Sequence, residues 1–283
     1  MTKKNKNQFY PSALTITGCD SGGGSGIAAD LRTFNAFGVF GTCAVTAAAA
    51  QNPAAVRRTD RLEADSVTAQ IDAVTEKIAV DFCKTGMLFS SGIIEAVAAA
   101  VEKYRFTLVC DPVMVTSGNS KVLKSDAVET LVDKLLPLAA WITPGIAEAE
   151  VLAGVRISSP DDMFEAAKIL SERFSASVLL KGGTADDNIS VDIVARSGKL
   201  FTLTAPALQL PQFTAHGADD TLSAALTAML ALDMPWKQAV CGSRAFVYGS
   251  LEQCVELGRN LQGMYPPTED FSQLVKLTPV NSQ

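Results

Sequence analysis

Six short stretches combine glycine with acidic, basic or hydroxyl side chains, and each follows a short apolar run. Residues 18–26 read GCDSGGGSG, with four glycines in the five positions 22–26. Glycine lets a backbone close on a ligand, and the helix that follows presents free N–H groups that suit an anion. No register of G-x-G-x-x-G fits and no G-K-[ST] follows, so this is neither a dinucleotide fingerprint nor a P-loop. A tight strand–helix turn is the competing explanation, but it needs fewer glycines than this.

The remaining stretches are shorter. KTGML (84–88) is a glycine-containing strand exit, weak by itself. Asp111, with Pro112, Val113 and Met114 and then Ser117 and Gly118, sits just past an apolar run. A carboxylate there suits a hydrated cation or a phosphate, or equally caps a turn. In TPGIAEAE (143–150), Glu148 and Glu150 face differently on a helix, so one points into a site and the other into solvent. Lys181, before Gly182 and Gly183, is a candidate phosphate contact.

Residues 214–225, TAHGADDTLSAA, carry small side chains into a long apolar helix whose start favours an anion. Asp219 and Asp220 either complement that helix dipole or supply a base beside a bound phosphate. His216 is the one histidine of the chain, and no G-x-S-x-G elbow accompanies it. A Ser-His-Asp hydrolase is thereby excluded, and His216 reads as a positional residue. The six cysteines form no C-x-x-C, which excludes a His/Cys zinc site and a disulfide frame and points to reduced thiols.

These residues need a scaffold, and the hydrophobic pattern supplies one. Strands are expected at 13–17, 40–46, 80–84, 107–110, 140–142 and 177–181. Helices are expected at 25–37, 65–77, 93–103, 125–135 with Ser125 as N-cap, 148–152, 160–174, 218–232 and 236–256. A hairpin is expected at 189–195 and 199–204, turned at Ser197 and Gly198. Strands separated by helices make parallel β-α-β units, hence an α/β fold with helices on both faces of one sheet. Ligands of such sheets bind beyond the carboxyl ends of the strands, where the six stretches fall.

The 283 residues are 48% hydrophobic and 19% charged, which excludes a disordered chain. A net charge of −6 and a pI near 4.9 leave no basic footprint for nucleic acid. No apolar run is long enough for a membrane span or a signal sequence, so the expected compartment is the cytoplasm. Residues 1–12 read as a polar tail, 13–264 as one domain and 265–283 as a loose tail.

Taken in order, ALTITGCDSGGGSGIAADLRTFNAFGVFGTCAVTAAAAQN (13–52), KTGML (84–88), DPVMVTSG (111–118), TPGIAEAEVL (143–152), LLKGG (179–183) and HGADDTLSAAL (216–226) resemble the hydroxymethylpyrimidine/phosphomethylpyrimidine kinases of the ribokinase-like superfamily. The resemblance implies a three-layer sandwich, with a central, mostly parallel sheet flanked by helices. It also implies a homodimer that uses Mg-ATP to phosphorylate the hydroxymethyl group of 4-amino-5-hydroxymethyl-2-methylpyrimidine. In many members a second phosphorylation, of the monophosphate, follows on the way to thiamine. By position, Asp30 and Gln51 resemble the polar contacts to the pyrimidine, and Gly18, Met87 and Val113 resemble its pocket walls. Asp111 and Glu148 resemble the residues that organise Mg²⁺ and its waters, with Glu148 also on the nucleotide side. Lys181 resembles a nucleotide-phosphate contact. Gly217, Ala218, Asp219 and Asp220 occupy the anion hole, with Asp220 at the catalytic-base position.

The chain departs from the family pattern at four places. Gly145 stands where the family has Asn in T-P-N-x-x-E, and Thr184 where it often has His. The family motif H-G-T-G-C reads His216-Gly217-Ala218-Asp219-Asp220 here, so an aspartate replaces a cysteine and Asp219 replaces a glycine. A carboxylate about 6 Å from a phosphate charge costs roughly 3 kcal/mol at an effective dielectric near 20. Three readings follow: an active kinase with a modified anion hole, a pyridoxine/pyridoxal-type kinase, or a degenerate relative that binds a pyrimidine or B6-like ligand with little transfer. The composition of 116–120 suits a loop that closes over the nucleotide.

Overall fold

The structure is a computed structural model of the chain and describes residues 9–114, 123–182, 184–185, 188–211 and 214–280. The expected closing loop at 116–120, Ser117, Gly118 and Gly183 lie outside the described residues.

The short apolar runs are buried on both faces. Along one strand, Leu108 and Cys110 pack into one core while Val109 between them packs into another. Val178 and Leu180 likewise part from Leu179. Successive side chains of a strand point to opposite faces, so an unbroken apolar run needs a helix layer on each side.

In chain order the first half is β1 (Ser12–Asp20), α1 (Gly26–Ala36), β2 (Phe40–Asn52), β3 (Ala55–Arg61), α2 (Ala64–Thr75), β4 (Phe82–Thr85), α3 (Ser91–Tyr104), β5 (Thr107–Cys110), α4 (Ser125–Thr130) and β6 (Ala139–Ile142). Then come α5 (Ile146–Ala153), α6 (Pro160–Phe174), β7 (Ser177–Leu180), β8 (Thr184–Ala185), β9 (Ile189–Arg196), β10 (Lys199–Pro206), α7 (Ala218–Ala231), α8 (Trp236–Glu252), β11 (Val255–Gly258), β12 (Leu261–Gly263) and β13 (Lys276–Pro279). The main sheet runs β13-β10-β9-β7-β6-β5-β4-β1-β2-β3, and β8 adds to β9. From β2 through β1, β4, β5 and β6 to β7 every pairing is parallel. Helices α2, α3, α5 and α6 fill the core on one face, with Val67, Ile71, Ile93, Val97, Leu152 and Leu170. Helices α7 and α8 cover the other through Leu222, Leu226, Val240 and Val247, and α1 packs beside α7 through Phe34. The expected three-layer sandwich is what is found. No helix of the described residues is long and apolar enough to cross a membrane.

Several expected boundaries shift, each for a physical reason. Strand β2 continues past residue 46 to Asn52 because its alanines pair with β1 and β3, and tertiary pairing overrides their helical preference. Strand β3 was not expected: its side chains are mostly exposed and show no alternation, and it is held by the backbone ladder to β2 and by Arg61 lying over the Phe89 ring. The helix expected over 125–135 is α4 only as far as Thr130, followed by a wide turn (Leu131–Leu135) and a tight one (Leu136–Leu138) containing Pro137. Ser125 is the first residue of α4 rather than its cap, which is Lys124. The last helix stops at Glu252, and the chain turns into the β11–β12 ribbon.

The stretch from 265 onward is not loose throughout. Phe271 packs at a tilt against Tyr248 of α8, Val275 is buried, and β13 pairs antiparallel with β10. Ending the chain after Met264 is therefore expected to lower the melting temperature, since burial of Val275 alone contributes about 1.5–3 kcal/mol. A thermal melt indistinguishable from that of the full chain would restore the loose tail.

Candidate active site

The parallel strands deliver their last residues to one edge of the sheet. Asp20 ends β1, Lys84 is the penultimate residue of β4, Asp111 follows β5 and Lys181 follows β7. Helices α5 and α7 bring Glu148 and Asp220 to the same edge in their first turns.

Asp20 organises the glycine-rich turn. One carboxylate oxygen accepts the N–H of Gly22 at 2.7 Å; the other accepts the N–H groups of Gly24 (3.2 Å) and Ser25 (3.1 Å) and the Ser25 hydroxyl (3.0 Å). Arg32 of α1 donates to the Gly23 carbonyl at 2.6 Å. His216 Nε2 lies 3.0 Å from Asp20 Oδ2 and 3.3 Å from the Gln51 amide, so the histidine ties the first turn to the last. Gly217 caps α7 with φ +86°, and a methyl there would sit 1.8 Å from the Gly24 carbonyl oxygen. Only glycine satisfies both the left-handed backbone and that approach.

Two buried lysines pair the carboxylates. Lys84 and Asp30 are both 0% exposed, and the ammonium reaches Asp30 Oδ1 at 3.0 Å and Oδ2 at 2.9 Å. The same Nζ reaches Asp220 Oδ1 at 2.8 Å, and Asp220 is 17% exposed. Burial pushes Asp30 up to about 7, against the pull of Lys84. Burial acts the same way on Asp220, but Lys84 and the Gly26 N–H outweigh it and hold that carboxyl below its ordinary value. Lys181 reaches Asp111 Oδ1 at 3.0 Å and Asp219 Oδ1 at 3.3 Å. Burial raises Asp111, and Lys181 opposes the rise. Glu148 accepts the N–H of Gly145 at 2.9 Å, closing the first turn of α5, and the N–H of Met114 at 3.2 Å. Its carboxyl is pushed up to about 7 by burial, with Lys181 opposing and Asp111 adding to the rise.

Most of the candidates expected from sequence meet here. A methyl on Gly18 would touch Met87 Cε at 2.7 Å, so these two share a wall, and Gln51 and Val113 are half-buried near the strand ends. Asp30 departs from its expected place as a pyrimidine contact. Its carboxylate is enclosed and taken up by the Thr15 hydroxyl at 2.5 Å and by Lys84. Asp219 departs from the expected clash: its side chain is 71% exposed and turned toward Lys181. Gly145 leaves space, since a methyl there would come no closer than 3.6 Å to Glu148. Lys84 and Asp20 lie within the stretches 84–88 and 18–26, but the sequence assigns neither a role of its own. The signal for Lys84 is a lone basic residue within the strand FCKT (82–85), whose other residues are apolar or small. A separate cavity of about 390 Å³, lined by Phe37, Met229, Met234, Cys241, Phe246 and Phe271 among others, contains none of these charged groups.

A sequence profile of the family described as phosphomethylpyrimidine kinase matches residues 20–265. The hydroxymethylpyrimidine/phosphomethylpyrimidine kinase of Haemophilus influenzae is 40% identical over 251 residues, 87% of this chain and 93% of that one. The pyridoxal kinase of Staphylococcus aureus in complex with AMP-PCP superposes with a TM-score of 0.87 at 31% identity, covering 96% of this chain and 100% of that one. The phosphomethylpyrimidine kinase of Clostridium difficile superposes with a TM-score of 0.74 at 36% identity, over 84% of this chain and 97% of that one.

The raised Glu148 has a measurable consequence. A carboxyl at about 7 when folded and 4.5 when unfolded binds more protons in the folded state between those values. Stability of the ligand-free protein therefore falls as pH rises from about 4.5 to about 7, by at most about 3 kcal/mol from this group. Urea titrations across that range check it. Glu148→Gln is expected to flatten the slope, and an equal slope in both proteins would refute the assignment.

Proposed function

The chain belongs to the phosphomethylpyrimidine kinase family, and on that footing we propose that it transfers the γ-phosphoryl group of ATP to the hydroxymethyl group of 4-amino-5-hydroxymethyl-2-methylpyrimidine, and then phosphorylates the monophosphate, for thiamine synthesis. The observation that carries this reading is the Asp220 carboxylate, ionised by Lys84 at 2.8 Å and partly open at the start of α7. Such a group can accept the alcohol proton as the hydroxyl oxygen bonds to phosphorus and the bond to the ADP oxygen breaks.

The other side chains position and neutralise. Gly217 and Ala218 open α7 without a side-chain cap, and a helix start of this kind suits the phosphate oxygens. Lys181 contacts a nucleotide phosphate in this reading, with Asp219 as its outward counter-ion. Gln51 meets the pyrimidine ring, and Gly18, Met87 and Val113 form its walls. Asp111 and Glu148 offer hard carboxylate oxygens, which fit Mg²⁺ held largely through its own waters. Among the described residues no group of three or more His, Cys, Asp and Glu gathers for a metal. When bound, magnesium supplies charge neutralisation on the nucleotide phosphates.

A homodimer is part of this reading and rests on the family resemblance. A cytoplasmic setting is supported by six cysteines that are all free. A pyridoxal-type activity is the second reading, favoured by the close superposition on the Staphylococcus aureus kinase. The inactive reading loses its main support, because the Asp219 carboxylate faces solvent and Lys181 instead of blocking the turn.

The deciding assay follows ADP release from Mg-ATP with hydroxymethylpyrimidine, and with pyridoxal and pyridoxine as competitors. Release with the pyrimidine is expected; tight binding without release would overturn kinase activity. Asp220→Asn is expected to lower kcat at least about 100-fold with KM for the alcohol within a few-fold. Asp219→Gly is expected to change kcat by less than about threefold, because an exposed charge is screened. A much larger gain in kcat would mean that the carboxylate does burden the transferred phosphate.

A further inference from the structure

We propose that Lys84 and Asp30 are positioning residues that aim Asp220 and set its basicity, with Asp30 moderating Lys84 so that Asp220 can take up and give back a proton. The inference rests on the reading of Asp220 as the base.

The geometry is asymmetric in a way that a plain buried ion pair does not require. An enclosed ammonium costs several kcal/mol unless its donors are met, and one carboxylate would neutralise it. Lys84 has two. Asp30 is sealed off and additionally holds the Thr15 hydroxyl, whereas Asp220 keeps an open face. The carboxylates come from different helices, Asp30 from the middle of α1 and Asp220 from the first turn of α7, with Lys84 rising from β4 between them. Other charged groups facing this cluster are Asp111 after β5 and Lys181 after β7, with the neighbouring Asp219 turned outward.

Charge counting gives the two residues their role. Before transfer, Lys84, Asp30 and Asp220 sum to −1. The alcohol oxygen bonds to the γ-phosphorus, the bridging P–O bond breaks with its electrons on ADP, and the proton passes to Asp220. The three groups then sum to zero, and Lys84 remains paired with Asp30. Without the Asp30 charge the same step would end on an isolated buried ammonium, so Asp220 would be a weaker base. Without Lys84 two carboxylates would face each other unneutralised, and proton uptake would move to higher pH. Burial that pushes Asp30 up to about 7 is consistent with this: protonating Asp30 leaves Lys84 acting on Asp220 alone.

The test is kcat and KM against pH for the intact protein and its variants. The parent is expected to lose kcat below about pH 7. Asp30→Asn should lower kcat tenfold or more and abolish that limb, with KM for the alcohol within about threefold. Lys84→Met should move the limb upward by a unit or more. Thr15→Val, which removes only a hydroxyl donor to Asp30, should also move it upward, and it serves if Asp30→Asn does not fold. Lys84→Arg, which keeps the charge, should restore part of what Lys84→Met loses. Coincident pH profiles in all of these proteins would reduce Asp30 and Lys84 to scaffolding. A rise in KM with unchanged kcat in Asp30→Asn would make Asp30 a substrate contact. Asp220→Asn separates the two levels. If it keeps full kcat, the base assignment fails; if it collapses kcat while the Asp30 and Thr15 variants leave the limb in place, only the present inference fails.

Discussion

The structure turns on one ammonium group sealed inside the protein. Lys84 has no solvent to share its charge with, so its place on β4 dictates what must surround it. Asp30 must be ionisable and enclosed, Thr15 must offer a hydroxyl, and the first turn of α7 must approach close enough for Asp220 to complete the coordination. Those demands tie the second strand out from the sheet centre to helices α1 and α7 on one face. They also explain why a chain with an apolar core tolerates a charged residue there: two carboxylates from different helices meet its charge.

A second lysine performs a related task one layer outward. Lys181 leaves β7 with Asp111 on one side and Asp219 on the other, and one of these partners is enclosed while the other is wet. An enclosed partner holds the ammonium in place. A wet partner is weakly held and exchanges readily for a stronger anion such as a phosphate oxygen. In the proposed reading, the aspartate that looks most out of place in the HGADD turn is the replaceable counter-ion of Lys181 rather than an obstruction, in keeping with its 71% exposure and its 3.3 Å contact to that lysine.

Much of this was readable in the sequence. Unbroken apolar runs between amphipathic segments point to the parallel sheet, and among the described residues Asp20, Lys84, Asp111 and Lys181 lie at the expected strand ends. What escaped has physical causes. Strand β3 shows no alternation because its side chains are mostly exposed and pairing with β2 is its main hold. The alanines of β2 carry a helical preference that pairing overrides. Asp30 is placed at the substrate by the family resemblance, which carries a position but says nothing of its burial. Its enclosure depends on Lys84, 54 positions away, and no local pattern announces such a partner. The stretch after Met264 reads as polar, yet Phe271 and Val275 supply enough apolar surface to anchor it.

The contact between Gly217 and the Gly24 carbonyl means that two loops nearly two hundred residues apart in the chain share a single hydrogen-sized gap. Neither can thicken or slide without displacing the other. A side chain at 217 would therefore have to be met by a movement of the turn at Gly24. Attempts to graft either segment into a related scaffold would have to carry both together.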